Sequence, residues 1–397
     1  MTRRKFFLIL LALIVVSQIP FAYRRYRLGR LRNAIQQLAS QRVVTQSSNE
    51  YVDYKGVIHV HTFLGGHSTG TFEELILAAK TNNLDFVIMT EHPQREFDTS
   101  AMTLNGKHAG VLFVNGNEVV TAGGDRLLLI PGSSDANAAN TESTQDVVNK
   151  QKSTGGLVFA AYPTESVNWQ SAGVDGLEVY NLYTNAREIN KLVTGFDGLW
   201  SYRSYAGLMF ANFFVRPTEN LKRWDTITAT NRKLVAIAGN DAHSNVGFGF
   251  SDATGKQWLG VKVDPYERSF WTVRTHVLIQ KDKPLSRESL LEAISLGHCY
   301  LSFDLFSDPN GFMFRAIDKI MGDEIGSSTQ MQLIASAPLR ARFVLFKNGS
   351  AMDEQSGTTV QFISSGTGAY RVEAYLDSLP APAKGQPWII SNPIYLK

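Results

Sequence analysis

From Tyr54 onward, short apolar strands alternate with helical stretches, and histidine or acidic residues stand where the strands end. Residues 56–61 read as a strand. Thr71 with Glu74 forms a capping box that opens a helix carrying Phe72, Leu75, Leu77, Ala78 and Ala79. Further strands are expected at 85–90, 111–115, 127–130, 157–161, 176–180 and 234–238, with helices at 144–155 and 218–231. Such alternation over about 240 residues is the pattern of an α/β barrel, which gathers its functional groups at the C-terminal ends of its strands. A doubly wound open sheet is the alternative, but no Gly-x-Gly-x-x-Gly turn opens a helix. Beyond Ser302 the helical pattern fades. Residues 329–335, 341–346 and 370–374 are strand-like, and Asn348-Gly349 and Ser365-Gly366 mark turns between them. A small β-rich C-terminal domain is expected there.

The N-terminus obeys a different constraint. Residues 6–16 are apolar without a break, and 19–23 continue the run after Ser17 and Gln18. As a helix, 6–23 would be about 27 Å long, enough to cross a bilayer core. Arg3, Arg4 and Lys5 precede it, and Arg24, Arg25, Arg27, Arg30 and Arg32 follow. This is a membrane anchor or export signal. Arg3-Arg4 resembles a twin-arginine export address. Pro20-Phe21-Ala22 is a poor cleavage site, so an uncleaved anchor is expected. Counting bases alone favours a cytoplasmic body; the twin-arginine reading puts it outside, and the extracytoplasmic side is the expectation. Leu28, Leu31, Ile35 and Leu38 predict a short amphipathic helix, touching anionic lipid heads through its arginines or simply solvated. The expected division is a membrane segment at 1–23, a basic juxtamembrane helix and linker at 24–50, the barrel at 51–302 and the β-rich domain at 303–397.

Charge separates along the same line. The whole chain carries +3, from 39 basic and 36 acidic residues. Nine of the bases fall in residues 1–49, which hold no acid, so the body carries 30 bases against 36 acids. A sequence-tolerant nucleic-acid binder needs a basic body, so no nucleic-acid partner is expected. Cys299 is the single cysteine, which excludes an internal disulfide and a cysteine-rich zinc module.

Five of the eight histidines lie at or just after strand ends. His59 and His61 alternate, so both side chains share one face. His67 follows in a Gly-Gly-His-Ser loop. Glu91-His92 closes the next strand, Glu118 follows the one after, and Asn240-Asp241-Ala242-His243 closes the last. Imidazole and carboxylate without thiolate suit zinc, manganese or iron. Seven candidate ligands, His59, His61, His67, His92, Glu118, Asp241 and His243, exceed one coordination sphere.

Gly-Val-Ile-His59-Val-His61-Thr, Thr-Glu91-His92, Gly-Asn-Glu118-Val and Gly-Asn-Asp241-Ala-His243 resemble the ordered motifs of the PHP (polymerase and histidinol phosphatase) metallohydrolases over residues 54–300. Residues 368–373, with Pro387-Trp388-Ile389 and Ser391-Asn392-Pro393-Ile394-Tyr395, resemble the end of a branch that includes carbamate-ester hydrolases. The resemblance implies a distorted (β/α)7 barrel holding up to three divalent metals. His59, His61, Glu118 and Asp241 would hold one ion. His67, His92 and His243 would hold another, with Glu118 bridging. The chain departs from the pattern at Gly124-Asp125, where the family often has Gly-His, and at Ala161-Tyr162-Pro163, where it has Ala-His-Pro. Asp125 can still ligate, but Tyr162 is an uncommon ligand, so two metals are expected rather than three.

Such a site would hydrolyse esters with a metal-bound hydroxide. Phosphoesters are favoured. Carboxyl or carbamate esters, and a degenerate barrel that only binds a ligand, are the alternatives. The expected substrate is a small-molecule or lipid-linked ester. Asp241, His243 and Glu118 form the expected catalytic set, with Tyr162 donating to the substrate or leaving group. Glu178 and Asn240 would orient ligands. Arg126, Arg216 and Arg274 could each bind a phosphate, and spacing does not choose among them. His108, His276 and His298 fall outside the motifs and read as structural.

Overall fold

The computed structural model describes residues 2–44, 50–187, 190–245, 247–251, 257–262, 264–326 and 330–397. The protein is a mixed α/β chain with a sheet-rich body and one long apolar N-terminal helix, Arg3–Ala39. That helix runs unbroken through Pro20 and joins the two stretches that the sequence separates. Its most apolar part has a mean hydropathy of 2.3 and none of it is buried, which makes it a candidate membrane anchor or signal sequence. The second half behaves otherwise. Leu28, Leu31 and Leu38 enter the main hydrophobic cluster, alongside Leu208 and Met209 of the turn Gly207–Phe213. The amphipathic stripe is therefore covered by the body rather than by lipid or water.

Strand Tyr51–Val60 organises the sheet. It pairs in parallel with Phe86–Ile88 and Val235–Ala242, and antiparallel with Arg274–Gln280. Phe86–Ile88 pairs in parallel with Val111–Val114. On the other side, Val235–Ala242 pairs in parallel with Gly176–Asn181, which pairs in parallel with Leu157–Ala161. Leu157–Ala161 then runs antiparallel to Arg126–Ile130, and that strand antiparallel to Asn117–Val120. A lone bridge joins Glu91 to Asn117. The Val, Ile and Leu runs in these strands are buried, as expected where both sheet faces are covered. Parallel register sets Ile58 beside Ile88 and Gly239, and Val60 beside Ala242. The next residues of each strand therefore meet at one end of the sheet.

The helix after the first strand, Phe72–Thr81, starts as its sequence predicts: Glu74 N–H donates to Thr71 Oγ1, and Thr71 N–H to Glu74. Toward the C-terminus, Cys299–Ser302 pairs with both Arg274–Gln280 and Pro387–Ser391, so the later strands continue the same sheet. Gln332–Lys347 and Ser350–Ile363 form a long hairpin. Its two turn residues, Asn348 (φ 50°) and Gly349 (φ 82°), both adopt the left-handed backbone that a tight hairpin requires. Arg371 locks Gly368–Tyr375 onto helix Thr218–Thr228, donating to both Asp225 oxygens at 2.8 Å and to Glu373 at 2.7 Å.

Candidate metal centre

The strand ends bring four side chains to one buried point. His59 Nε2 lies 3.1 Å from Glu118 Oε2 and 3.4 Å from Asp241 Oδ1, and His61 Nε2 lies 3.4 Å and 3.3 Å from the same two oxygens. Ligand atoms about 2.0–2.2 Å from a tetrahedral ion stand about 3.3 Å apart, which is the spacing seen. All four residues are buried. Neither ring nitrogen of His61 nor Asp241 Oδ1 makes a hydrogen bond. Leaving buried polar atoms unsatisfied is costly, and a cation at this point would satisfy His61 Nε2 and Asp241 Oδ1 together. The donor set therefore fits a divalent metal ion.

His59 and Asp241 are held from behind. Glu178 Oε1 accepts from His59 Nδ1 at 2.6 Å, which fixes the ring with Nε2 aimed at the cluster. Gly239 makes room for this: a Cβ there would stand 1.9 Å from Glu178 Oε1. The Tyr162 hydroxyl donates to Asp241 Oδ2 and so turns Oδ1 inward. Burial, then the charges of Asp241 and Glu118, push the Tyr162 pKa far up, so it stays a donor. His243 Nδ1 donates to its neighbour's carbonyl, Asp241 O, at 2.9 Å, which leaves His243 Nε2 as the basic nitrogen.

His92 and His243 form a second cluster with His61. His92 Nε2 stands 3.4 Å from Glu118 Oε2, so Glu118 touches both clusters. The His67 ring lies 4.3 Å from that of His92 and 4.9 Å from that of His243, at the exposed rim. Burial and the neighbouring His61 push His92 down to about 3 and His243 down to about 4, so both rings are neutral and available as ligands. Burial also opposes the charge on His59, but Glu178, Asp241 and Glu118 outweigh it and hold His59 well above its usual value. Glu118, despite burial, is kept well below the carboxylate range by His59 and His61.

The backbone is strained where these groups sit. His59 (φ 69°), Tyr162 (φ 49°) and Asp241 (φ 49°) all occupy the left-handed region. Each costs on the order of 1–3 kcal/mol, a cost met by the surrounding packing and typical of functional sites.

Other sequence candidates go elsewhere. Asp125 lies outside both clusters. Its oxygens accept from Thr144 Oγ1, from the Ser166 hydroxyl and from Trp169 N–H, so it ties loops together. Asn240 Nδ2 donates to Ser269 O at 3.0 Å. Glu91 accepts from Thr62 N–H and both Thr62 and Thr103 hydroxyls, fixing the loop beside His61. Of the three arginines, Arg216 is paired with Glu373 and Arg274 with Asp304. Arg126 alone faces the centre. Its Nη1 is 3.2 Å from Glu118 Oε1, its guanidinium lies over the Tyr162 ring, and its side chain is 40 % exposed. Strand alternation sets Arg126 on the face shared with Val120 and Glu118, a signal that its register with Asn117–Val120 supplies and spacing alone does not. His276 bridges Asp53 and Asp304, His298 pairs with Asp323, and His108 meets Asn105 O.

No family model matches the chain, and no curated protein matches it. Among solved structures, PsfC from Pseudomonas syringae PB-5123 is similar over 63 % of this chain and 91 % of its own, at 14 % identity and a TM-score of 0.38. Endonuclease Q, in complex with a 27-mer duplex substrate carrying an abasic lesion, is similar over 61 % of this chain at 13 % identity and a TM-score of 0.34. This chain spans only 56 % of that second protein.

Proposed function

We propose that this protein is a membrane-anchored, metal-dependent hydrolase of ester bonds, with phosphoesters as its first substrate class. One observation carries the reading: His59, His61, Glu118 and Asp241 converge, buried, and His61 Nε2 and Asp241 Oδ1 make no hydrogen bond there. On this reading those four hold one ion, and His92 and His243, with His67 at the rim, hold a second together with Glu118. Bound divalent ions, whether zinc, manganese or iron, would supply Lewis acidity, polarising the ester oxygen and lowering the pKa of water.

The chain's own residues do the rest. Glu178 fixes the His59 ring, and Tyr162 fixes the rotation of Asp241. Arg126 offers a partly exposed guanidinium at the edge of the site, and a bidentate cation there suits a phosphate better than a neutral ester. This is the observation that favours phosphoesters over carboxyl or carbamate esters. The reading includes closure of the paired strands into a PHP-type (β/α)7 barrel at 51–302, followed by a β-rich unit at 303–397. It also places the body on the extracytoplasmic side.

The test is hydrolysis by full-length protein in detergent, loaded with zinc or manganese. Chromogenic phosphomonoesters, phosphodiesters, carboxyl esters and carbamates are compared. Cleavage of a phosphoester, lost in Asp241→Ala, is expected. Metal-loaded protein that cleaves none of the four classes would leave only a ligand-binding barrel.

A further inference from the structure

Helix Lys191–Tyr205 is a feature that the hydrolase reading does not use. It lies against the N-terminal helix at the level where the apolar run gives way to arginines. The Phe21 and Phe196 rings stack with centroids 5.1 Å apart, and Trp200 Nε1 donates to Gln18 Oε1 at 3.0 Å. One turn further along, Arg24 pairs with Asp197 at 2.7 Å, and Arg25 donates to Trp200 O and Ser204 Oγ. The two helices are thus joined by specific bonds across the end of the apolar segment.

Beside this contact, apolar side chains of Lys191–Tyr205 stay open. Phe196 is 42 % exposed, Leu199 83 % and Trp200 38 %. Three such side chains within two turns form a patch continuous with the exposed apolar surface of the N-terminal helix. Basic side chains flank it. A cleft of about 360 Å³ is lined by Arg25, Arg30, Arg32 and Tyr205, and a neighbouring one of about 350 Å³ by Arg25, Arg203, Leu199 and Trp200. Aromatic and leucine side chains beside arginines are the composition of a helix lying in the headgroup boundary of a bilayer.

We propose that helix Lys191–Tyr205 is a second membrane contact, resting in the interface of a bilayer that contains anionic phospholipid. Phe196, Leu199 and Trp200 enter the acyl boundary, while Arg30, Arg32 and Arg203 meet lipid phosphates. The proposal rests on reading the N-terminal helix as an anchor.

The test uses full-length protein in bilayer nanodiscs, labelled at single introduced cysteines with an environment-sensitive nitrobenzoxadiazole dye. Cys299 is fully buried, so the dye reports only the introduced site. Leu199→Cys probes the proposed contact, Leu11→Cys the N-terminal helix, and Leu77→Cys an exposed helix of the body. Acyl-brominated lipid is expected to quench the dye several-fold at positions 11 and 199 and to leave position 77 unchanged. Phosphatidylglycerol should strengthen quenching at 199 over pure phosphatidylcholine, and R30E/R32E/R203E should abolish that gain. Quenching at 11 without quenching at 199 overturns the proposal and leaves the anchor standing. Quenching at neither overturns both. A shielded but unquenched position 199, with disulfide cross-links forming between unlabelled Leu199→Cys copies, would mean that a second copy covers the patch, and also overturns it. Equal quenching in both lipids overturns the requirement for anionic phospholipid.

Discussion

Replacing Glu178 should weaken metal binding without touching any residue of the cluster itself. Its carboxylate is 2.6 Å from His59 Nδ1, and both groups are buried. In Glu178→Gln the amide oxygen can still accept from Nδ1–H, but the negative charge behind the ring is lost. The new NH2 would also face Asn181 Nδ2, which now donates to Glu178 Oε2 at 3.1 Å, donor against donor. In Glu178→Ala both the charge and the hydrogen bond go, and the ring is free to turn. Losing such a supporting partner costs about 10- to 100-fold in metal affinity. The retained hydrogen bond places Gln near the lower bound, about 1.4 kcal/mol, and Ala near the upper, about 2.7 kcal/mol. The assay is competition against a chromophoric chelator, with circular dichroism to confirm that each variant is folded. Asp125→Asn is the control, because Asp125 is equally buried but spends its oxygens on Thr144, Ser166 and Trp169. It should leave affinity within about twofold. A folded Glu178→Ala that binds as tightly as wild type would refute the reasoning. So would an Asp125→Asn loss as large as that of Glu178→Ala.

Other expectations follow from groups outside the cluster. Arg371→Ala leaves Asp225 and Glu373 facing a buried gap, and chemical denaturation should show a loss of about 3–5 kcal/mol. His276 is buried between Asp53 and Asp304, and despite burial those carboxylates raise its pKa to about 10. Its folded value lies above the unfolded value of about 6.5, so its contribution is complete below that pH and fades as pH rises through 10. The stability gap between wild type and His276→Gln, measured by denaturation from pH 6 to 10, should narrow across that window. Arg126→Ala should raise KM for a phosphoester about 10-fold or more while changing KM for a neutral carboxyl ester little, read from steady-state kinetics on both.

The convergence at the strand ends is legible in the sequence because parallel register leaves little freedom. Once Tyr51–Val60 lies beside Phe86–Ile88 and Val235–Ala242, His59, His61, His92 and Asp241 have nowhere else to emerge. Glu178 is legible for the same reason, as a buried acid on a neighbouring strand. Asp125 and Arg126 are harder. They are adjacent, one turns into a loop and the other into the site, and only the pairing of Arg126–Ile130 with Asn117–Val120 decides which. Strand Ser350–Ile363 is missed because its residues are mostly polar and exposed, so its place in the hairpin comes from its partner and not from its own pattern. Helix Lys191–Tyr205 is missed because its apolar residues, interrupted by Gly195 and Gly198, mark no inward face. The covered stripe of Leu28, Leu31 and Leu38 shows the converse, since an amphipathic period reports a buried face without saying what buries it.

Metal content of the full-length chain tests the central claim most directly. After loading with zinc or manganese and removal of free ion, elemental analysis should find about two equivalents per chain, as a two-ion site requires. Glu118 touches both clusters, so Glu118→Ala should lose most of both, while His59→Ala should lose chiefly one. Folded wild-type protein that retains no metal, or variants that retain as much as wild type, would contradict the account.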